Sequence, residues 1–360
     1  MIQLHPYIPI QVNSSLQDLK LTEEILYWYP WISDLKNKNT YLYLMAAWKL
    51  NGDLPDPPPS GYDYYITSGD SLMYKWPYKI SKSVNGKIIH LVSSMLMDVV
   101  NTDQITFIPY NHAHRRIARI PRPVEIVKDI KYKASALTNR VTQSKVIIFS
   151  ALTTLLGKQD FVGSLNHAHA LLKNIHNWEM SGNAVCDKHT KSFIDNWLDK
   201  TIKLPNDDRI EGSYNNPAYL NSALNFTQES YHYSYMTDSS GDGFVEPGPF
   251  ITEKTWKCLV SKTAFIPVGQ MYSYHWLKTL GLQFNYGELN LDFDNDAGNL
   301  TRLEKIVNLI DSLSTWSAMD LYEMTRESTE YNYNYVQSDD FWNHCEQSNV
   351  ETYNYLSTII

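Results

Sequence analysis

The sequence has little cysteine and no cysteine motif. Its 360 residues include three cysteines, Cys186, Cys258 and Cys345, which lie far apart and form no Cys-x-x-Cys or closely spaced Cys/His set. Disulfide frameworks and structural zinc sites depend on such spacings, so the sequence predicts neither. Scattered free cysteines are typical of a reducing compartment, and we therefore expect a cytoplasmic protein.

Long apolar runs are also missing. The apolar run at 146–149 is representative, and it is far shorter than the roughly 20 residues that a membrane-spanning helix needs. The N-terminus, MIQLHPYIPI, lacks the basic stretch followed by an apolar stretch that marks a secretory signal. We expect no membrane among the partners of this protein.

Positive charge is in deficit. The sequence has 31 Lys and Arg residues against 39 Asp and Glu residues, which gives a net charge of -8 at pH 7. This balance excludes a protein that coats nucleic acid through bulk charge, although it leaves room for a local basic patch. No Gly-x-Gly-x-x-Gly motif follows a predicted strand, which argues against a nucleotide-dependent oxidoreductase.

Aromatic residues, in contrast, are abundant. They make up 13% of the sequence and include 26 Tyr and 10 Trp. Their ring faces can stack on sugars and bases, but Tyr is also an ordinary surface residue in Asn-rich sequences. Composition alone leaves both explanations open.

The order of predicted elements indicates an α/β protein, and the length fits two domains. From residue 131 onward, short apolar strands alternate with longer helices, which predicts a parallel, doubly wound sheet. The predicted strands lie at 62–67, 105–110, 133–138, 160–165, 219–227, 263–268 and 283–286. Helices are predicted at 15–28, 252–262, 272–280, 299–314, 317–328 and 338–356, among others.

The segment PGPFITEKTWK, at 247–257, carries the most informative local motif. Thr252 is a good N-cap residue, and Glu253 and Lys254 follow it in the first helical turn. Free backbone N–H groups, the helix dipole and a lysine together favour an anion at such a helix start. By itself the motif is short and is more typical of an ordinary capped surface helix.

The surroundings of this motif resemble the donor-binding segment of fucosyltransferase-like glycosyltransferases, most closely those encoded by large phages and algal viruses. In that family an aromatic-x-Thr-Glu-Lys motif opens a helix, a small apolar strand follows, and a further helix ends in Leu-Gly; here the run is 250–284. Upstream, ALNFTQES at 223–230 resembles the family strand that ends in a glutamate, and KYKASALTNR at 131–140 resembles the strand that leads to a basic residue.

This resemblance implies a GT-B fold, with two Rossmann-like domains facing a cleft. It implies an N-terminal acceptor-side domain at 1–130, a C-terminal nucleotide-sugar-binding domain at 131–325, and a helical segment at 326–360 that packs back across both. A nucleoside-diphosphate sugar, with UDP favoured, would be the donor substrate, and no cofactor is implied. If the protein is viral, its compartment is the host cytoplasm.

The resemblance also implies roles for individual residues. Lys254 matches the phosphate-binding lysine, and Glu253 matches the ligand of the nucleotide ribose. Arg140 lies where an arginine contacts the diphosphate, and Lys145 lies near a second basic position that is often Arg. The full set of implied nucleotide-sugar ligands is Arg140, Lys145, Glu229, Thr252, Glu253 and Lys254. Phe250 replaces the Tyr of cell-surface members, so the donor sugar itself is not implied.

Metal-independent, inverting chemistry suits these residues. A departing diphosphate needs positive charge, which Arg140, Lys254 and a helix N-terminus can supply without a metal ion. The acidic triplet at 292–294, DFD, follows the last predicted strand and is interpreted as solvated surface rather than as a metal site.

An inverting enzyme also requires a general base for the acceptor hydroxyl. Asp70 is the first candidate because it follows a predicted strand in a Ser-Gly-Asp turn, and His114 is the alternative. Either residue is equally typical of an ordinary turn or loop.

The acceptor is the most open part of the sequence interpretation. The segment HAHRRIARIPRP, at 112–123, contains no acidic residue and four arginines: Arg115, Arg116, Arg119 and Arg122. Such a segment could bind DNA phosphates, as in phage enzymes that glycosylate 5-hydroxymethylcytosine in double-stranded DNA. A glycan or protein acceptor is equally compatible with the sequence, and a non-catalytic viral carbohydrate- or nucleotide-binding protein is the alternative to an enzyme.

Overall fold

The computed structural model describes residues 12–37, 39–44, 58–69, 76–92, 101–120, 125–138, 142–165, 182–198, 200–202, 204, 216–229, 235–237, 243–245, 249 and 251–359. Over these residues the chain is an α/β protein with a mixed five-stranded sheet, a parallel four-stranded sheet and a two-stranded antiparallel sheet, so the α/β class of the prediction is confirmed. No helix in these ranges is long and apolar enough to cross a membrane.

The described strands are β1 (Val12–Ser15), β2 (Thr40–Leu44), β3 (Tyr64–Gly69), β4 (Lys87–Val92), β5 (Ile105–Pro109), β6 (Tyr132–Thr138), β7 (Phe161–Leu165), β8 (Ser222–Gln228), β9 (Tyr235–Thr237), β10 (Gly243–Val245) and β11 (Ala264–Val268). The described α-helices are α1 (Glu23–Trp28), α2 (Trp76–Ser81), α3 (Ala113–Ala118), α4 (Gln143–Ala151), α5 (Ala184–Trp197), α6 (Pro217–Leu220), α7 (Glu253–Val260), α8 (Ser273–Thr279), α9 (Asn299–Ser312), α10 (Ala318–Tyr335) and α11 (Asp339–Ile359).

Two compact units make up the chain. The first contains Met1–Arg119, Tyr235–Phe250 and Asp339–Ile360, and the second contains Ile120–Ser234 and Ile251–Ser338. Helix α11 therefore belongs to the first unit, whereas the sequence-based division grouped it with 326–338 in a separate C-terminal segment.

The first unit is built on the sheet β1-β2-β3-β4-β5, in which β1 is antiparallel to β2 and the other neighbours are parallel. Helix α11 closes this unit. Asn349 on α11 is buried, and its side chain accepts from the backbone N–H of Asn111 and donates to the Asn111 carbonyl, each at 2.7 Å. Leu356, about two helical turns after Asn349, lies in the apolar core together with Trp28.

The second unit is built on a parallel sheet with the order β11-β8-β6-β7. Every residue of β8 and of β11 is buried, as expected of parallel strands that are covered on both faces. From β6 the chain adds β7 on one side, then returns to add β8 and β11 on the other. The order therefore reverses between β6 and β8, and ligands of such sheets bind in the crevice beyond the carboxyl ends at this reversal.

Two sequence predictions were wrong. The helix predicted at 15–28 begins only at Glu23, because Thr22 caps it, while residues 12–15 form β1 and Ser15 binds Asp18 in a turn. The strand predicted at 283–286 is irregular chain. Its backbone pairs with side chains of α10 instead of with a strand: the Gln283 N–H donates to Asn332 Oδ1 at 2.8 Å, and Asn332 Nδ2 donates back to the Gln283 carbonyl at 2.7 Å.

Candidate functional site

The carboxyl edge of the parallel sheet brings together most of the site residues that the structure describes. Strands β6 and β8 end side by side, and Thr138 Oγ1 donates to Gln228 Oε1 at 2.8 Å between their last residues. Glu229 follows Gln228 directly, and the first turn of α7 lies against it. The reversal point of the sheet and the Thr-Glu-Lys motif thus occupy the same edge.

The carboxylate of Glu229 anchors the start of α7. Its side chain is fully buried, and its two oxygens accept from three donors: the Thr252 backbone N–H at 3.3 Å, the Thr252 hydroxyl, and the Thr255 hydroxyl at 2.6 Å. Burial raises the pKa of Glu229, while the nearby Lys254 ammonium and the hydroxyl donors act in the opposite direction. Glu229 is therefore a positioning residue, whose oxygens are engaged within the protein.

Lys254 and Glu253 belong to this anchored turn and are partly exposed. Lys254 Nζ lies 3.0 Å from Thr252 Oγ1, 3.4 Å from Glu253 Oε1 and 4.0 Å from Glu229 Oε2. The side chains of Lys254 and Glu253 keep 20% and 33% of their surface exposed, whereas that of Glu229 keeps none. An ammonium and a carboxylate therefore stand next to each other at the surface of a rigidly held helix start.

Helix α4 begins at the same edge, after β6. Its N-cap residue, Thr142, makes no side-chain capping hydrogen bond, and Lys145 is buried in its first turn. Arg140 lies between β6 and α4 in the sequence but outside the described residues. Lys145 thus lies on the helix that follows β6 in the chain.

The end of β11 packs tightly against Glu229. A Cβ atom on Gly269 would lie 3.4 Å from Glu229 Cβ, so the backbone passes directly beside the carboxylate side chain. The Gly269 carbonyl also accepts from Nε of the buried Arg302, at 3.2 Å, which ties α9 to this loop. The buried Arg302 side chain thus holds the loop that follows β11.

The acidic triplet at 292–294 is only in part the solvated surface that the sequence predicted. Asp292 is exposed, but Asp294 is buried and caps α8, accepting from the Tyr274 N–H at 2.9 Å and from the His275 N–H at 3.3 Å. Burial raises the pKa of Asp294 to about 6, against the effect of these backbone donors. The structure gives Asp294 the role of a helix cap.

Of the two general-base candidates, the structure describes only His114. Asp70 follows β3 in the sequence and lies outside the described residues. His114 lies inside the first unit, where its Nε2 is 3.0 Å from Glu346 Oε1 and its ring contacts Trp342. Burial lowers the pKa of His114, although the Glu346 carboxylate opposes this change. An imidazole enclosed in this way has no direct access to an acceptor hydroxyl.

The basic segment at 112–123 is largely engaged with its own unit. Arg115 is buried, paired with Glu346, and donates from Nε to the Tyr27 carbonyl at 2.6 Å. Arg119 pairs with Glu24 at 2.6 Å and covers the Tyr27 ring at 4.3 Å. Arg116 is half-buried, and Arg122 lies outside the described residues. Arg115 and Arg119 therefore serve the packing of α1, α3 and α11 rather than an open basic surface.

Sequence reasoning missed three polar residues of this edge: Thr138, Gln228 and Thr255. Each is buried. Thr138 and Gln228 bind each other at the ends of β6 and β8, and Thr255 binds the Glu229 carboxylate. The available signal was the position of Thr138 and Gln228, since residues at the carboxyl ends of parallel strands lie at the edge where such sheets bind ligands.

Comparisons with known proteins do not add to this description. The chain matches no protein-family model, no curated protein and no solved structure. Among the described residues, no group of three or more His, Cys, Asp or Glu side chains could hold a metal ion. The function must therefore be inferred from residues and geometry.

Replacing Glu229 with alanine should destabilise the second unit. The change leaves three buried donors of Thr252 and Thr255 without an acceptor, and we expect a loss of about 2 to 3 kcal/mol in the free energy of unfolding. Urea titration followed by circular dichroism measures this loss. Glu253→Ala is the matched control, since its partly exposed side chain should cost less than about 0.5 kcal/mol; equal effects of the two changes would contradict the anchor.

Asp294 should make stability depend on pH in a defined direction. Because its folded pKa of about 6 exceeds the ordinary value of 3.8, the folded protein holds a proton that the unfolded chain releases between these values. Its contribution is therefore favourable at low pH and is lost as pH rises from about 4 to 6. Asp294→Asn keeps an acceptor for the α8 cap and removes the titration.

As pH rises from 4 to 7, Asp294→Asn should thus become more stable relative to the parent, by up to about 3 kcal/mol in the free energy of unfolding. Urea titrations at several pH values measure it, and other titrating groups cancel in the difference. A constant difference across this range would contradict the assignment.

Proposed function

We propose that the protein is a glycosyltransferase that uses a nucleoside-diphosphate sugar, with UDP favoured, and that the donor binds at the carboxyl edge of the parallel sheet. The supporting observation is the partly exposed ion pair of Lys254 and Glu253 on a helix start that Glu229 anchors beside the sheet reversal. A cation for phosphate and a carboxylate for hydroxyl groups are what a nucleotide sugar requires at one place.

The chemistry of the leaving group supports this assignment. Glycosyl transfer releases a nucleoside diphosphate, and its growing negative charge must be stabilised. In the proposal Lys254, Arg140, Lys145 and the first turn of α7 supply that stabilisation without a metal ion, and Glu253 accepts from the ribose hydroxyls. Thr252 and Glu229 hold Lys254 in place, so the positive charge is preorganised.

The acceptor side is the less developed part of the proposal. Each unit contains parallel strands, as a GT-B enzyme needs, and the GT-B arrangement itself belongs to the proposal. Asp70 is retained as the proposed base of an inverting reaction, because the enclosed position of His114 disfavours the alternative. The pairing of Arg115 and Arg119 removes part of the support for duplex DNA, so DNA, glycans and proteins are all to be tested as acceptors.

Removing either proposed phosphate contact should weaken nucleotide binding. We expect Lys254→Ala and Arg140→Ala each to cost about 1.5 to 3 kcal/mol of UDP or GDP binding, as for a hydrogen bond to a charged group. Isothermal titration calorimetry measures the loss. Lys278→Ala, an exposed lysine on α8, should bind like the parent; if all three variants do so while remaining folded, the site is wrongly placed.

Slow hydrolysis of the donor distinguishes an enzyme from a binding protein. We expect the purified protein to release UDP or GDP from at least one nucleotide sugar in the absence of acceptor, and to do so in excess EDTA. Addition of 5-hydroxymethylcytosine duplexes, oligosaccharides or proteins should accelerate release with one acceptor class. Tight nucleotide binding without turnover would favour a binding protein, and a metal-reversible loss in EDTA would overturn the metal-independent chemistry.

A further inference from the structure

A buried amide at the sheet reversal has one end without a partner. Gln228 is the last residue of β8 and is only 1% exposed. Its Oε1 accepts from Thr138 Oγ1, but its Nε2 is buried and has no hydrogen-bond partner in the described part of the chain. Buried polar atoms without partners are rare in folded proteins, and each requires a physical explanation.

Turning the amide over does not solve this problem. The Thr138 hydroxyl donates its single proton to the carbonyl oxygen of Gln228, and this bond directs Nε2 away from Thr138. In the reversed orientation Nε2 would face Thr138, and the carbonyl oxygen would become the atom without a partner. In either orientation one end of the amide has no partner in the described part of the chain, and in the orientation in which Thr138 donates, the free end is the NH₂ group.

The position of unpartnered groups in this sheet is selective. Among the described strand residues of β6, β7, β8 and β11, the buried side-chain polar atoms without a partner are Ser164 Oγ and Gln228 Nε2. Both residues lie in the last two positions of their strands. A third such atom, Nε2 of Gln143, belongs to the first residue of α4, which begins at the same edge.

Polar side chains nearer the amino ends of the same strands are satisfied. Ser135 in β6 donates to the Ala218 carbonyl at 2.6 Å, and Asn225 in β8 donates to Ser135 Oγ at 2.9 Å. Ser222, the first residue of β8, binds the same Ala218 carbonyl. The fold therefore completes its internal hydrogen bonds at one end of the sheet and keeps donors free at the ligand-binding end.

We propose that Gln228 is a ligand-binding residue whose Nε2 donates to an acceptor oxygen of the bound nucleoside diphosphate, in the crevice between the ends of β6 and β8. This assignment rests on the proposed function and adds a specific contact to it. An amide NH₂ only donates, so the ligand must present an oxygen acceptor here. Thr138 is the positioning residue, since its hydroxyl binds the other end of the amide, and a phosphate oxygen favours the orientation in which the NH₂ group faces the ligand.

The test separates a binding role from a packing role. In the double variant Thr138→Val/Gln228→Met, both partners of the internal bond become apolar groups of similar shape, and the unpaired donor disappears. Removal of both partners in this way is nearly neutral or stabilising for a protein. We therefore expect a melting temperature equal to or above that of the parent, together with UDP and GDP affinities about 10- to 100-fold lower by calorimetry.

The matched control is Asn225→Ala, which removes a buried amide of the same strand that has a partner. It should lower the melting temperature and leave the UDP affinity unchanged. Parent-like UDP affinity in the double variant, alongside weakened binding by Lys254→Ala, would overturn the inference and leave the proposed function intact. A double variant that melts far below the parent would make Gln228 a packing residue. If the parent binds neither UDP nor GDP, both proposals fall.

Discussion

The second unit depends on a carboxylate that is buried where the sheet ends. Glu229 gathers the Thr252 N–H and the hydroxyls of Thr252 and Thr255, and thereby fixes where α7 begins relative to β8. A buried carboxylate is costly unless it is hydrogen-bonded and close to positive charge. Lys254 and the positive end of α7 meet that requirement. The proposed phosphate-binding lysine and Glu229 therefore stabilise each other's positions.

The strand order marks the edge to which the proposed ligand is assigned. The chain builds β7 and β8 on opposite sides of β6, and parallel sheets bind ligands beyond the carboxyl ends of their strands at such a reversal. The hydrogen bonding of the polar side chains differs between the interior of the sheet and this edge. Ser135, Ser222 and Asn225 complete one another's hydrogen bonds inside the sheet, whereas Gln228 at the crevice keeps its donor free.

In the first unit, too, buried charges are paired with opposite charges, and there the pairs hold helices together. Its arginine-rich segment contributes buried and half-buried cations that Glu346 on α11 and Glu24 on α1 neutralise. His114 shares the Glu346 carboxylate, and burial lowers the pKa of its imidazole. Arg115 thus binds α11 within the first unit, because Glu346, 231 residues away in the chain, lies next to it in the fold.

The sequence by itself determined the class of fold and the elements around the Thr-Glu-Lys motif. Short strand patterns that alternate with helix signals place β6, β7, β8 and β11 within a few residues of their observed bounds. The tertiary structure alone decided the strand order, the side-chain pairing that replaces a strand at 283–286, and the partners of Glu229, Asp294 and Arg115. These depend on contacts between distant segments, and a buried carboxylate or arginine acquires its role only from the groups that folding brings against it.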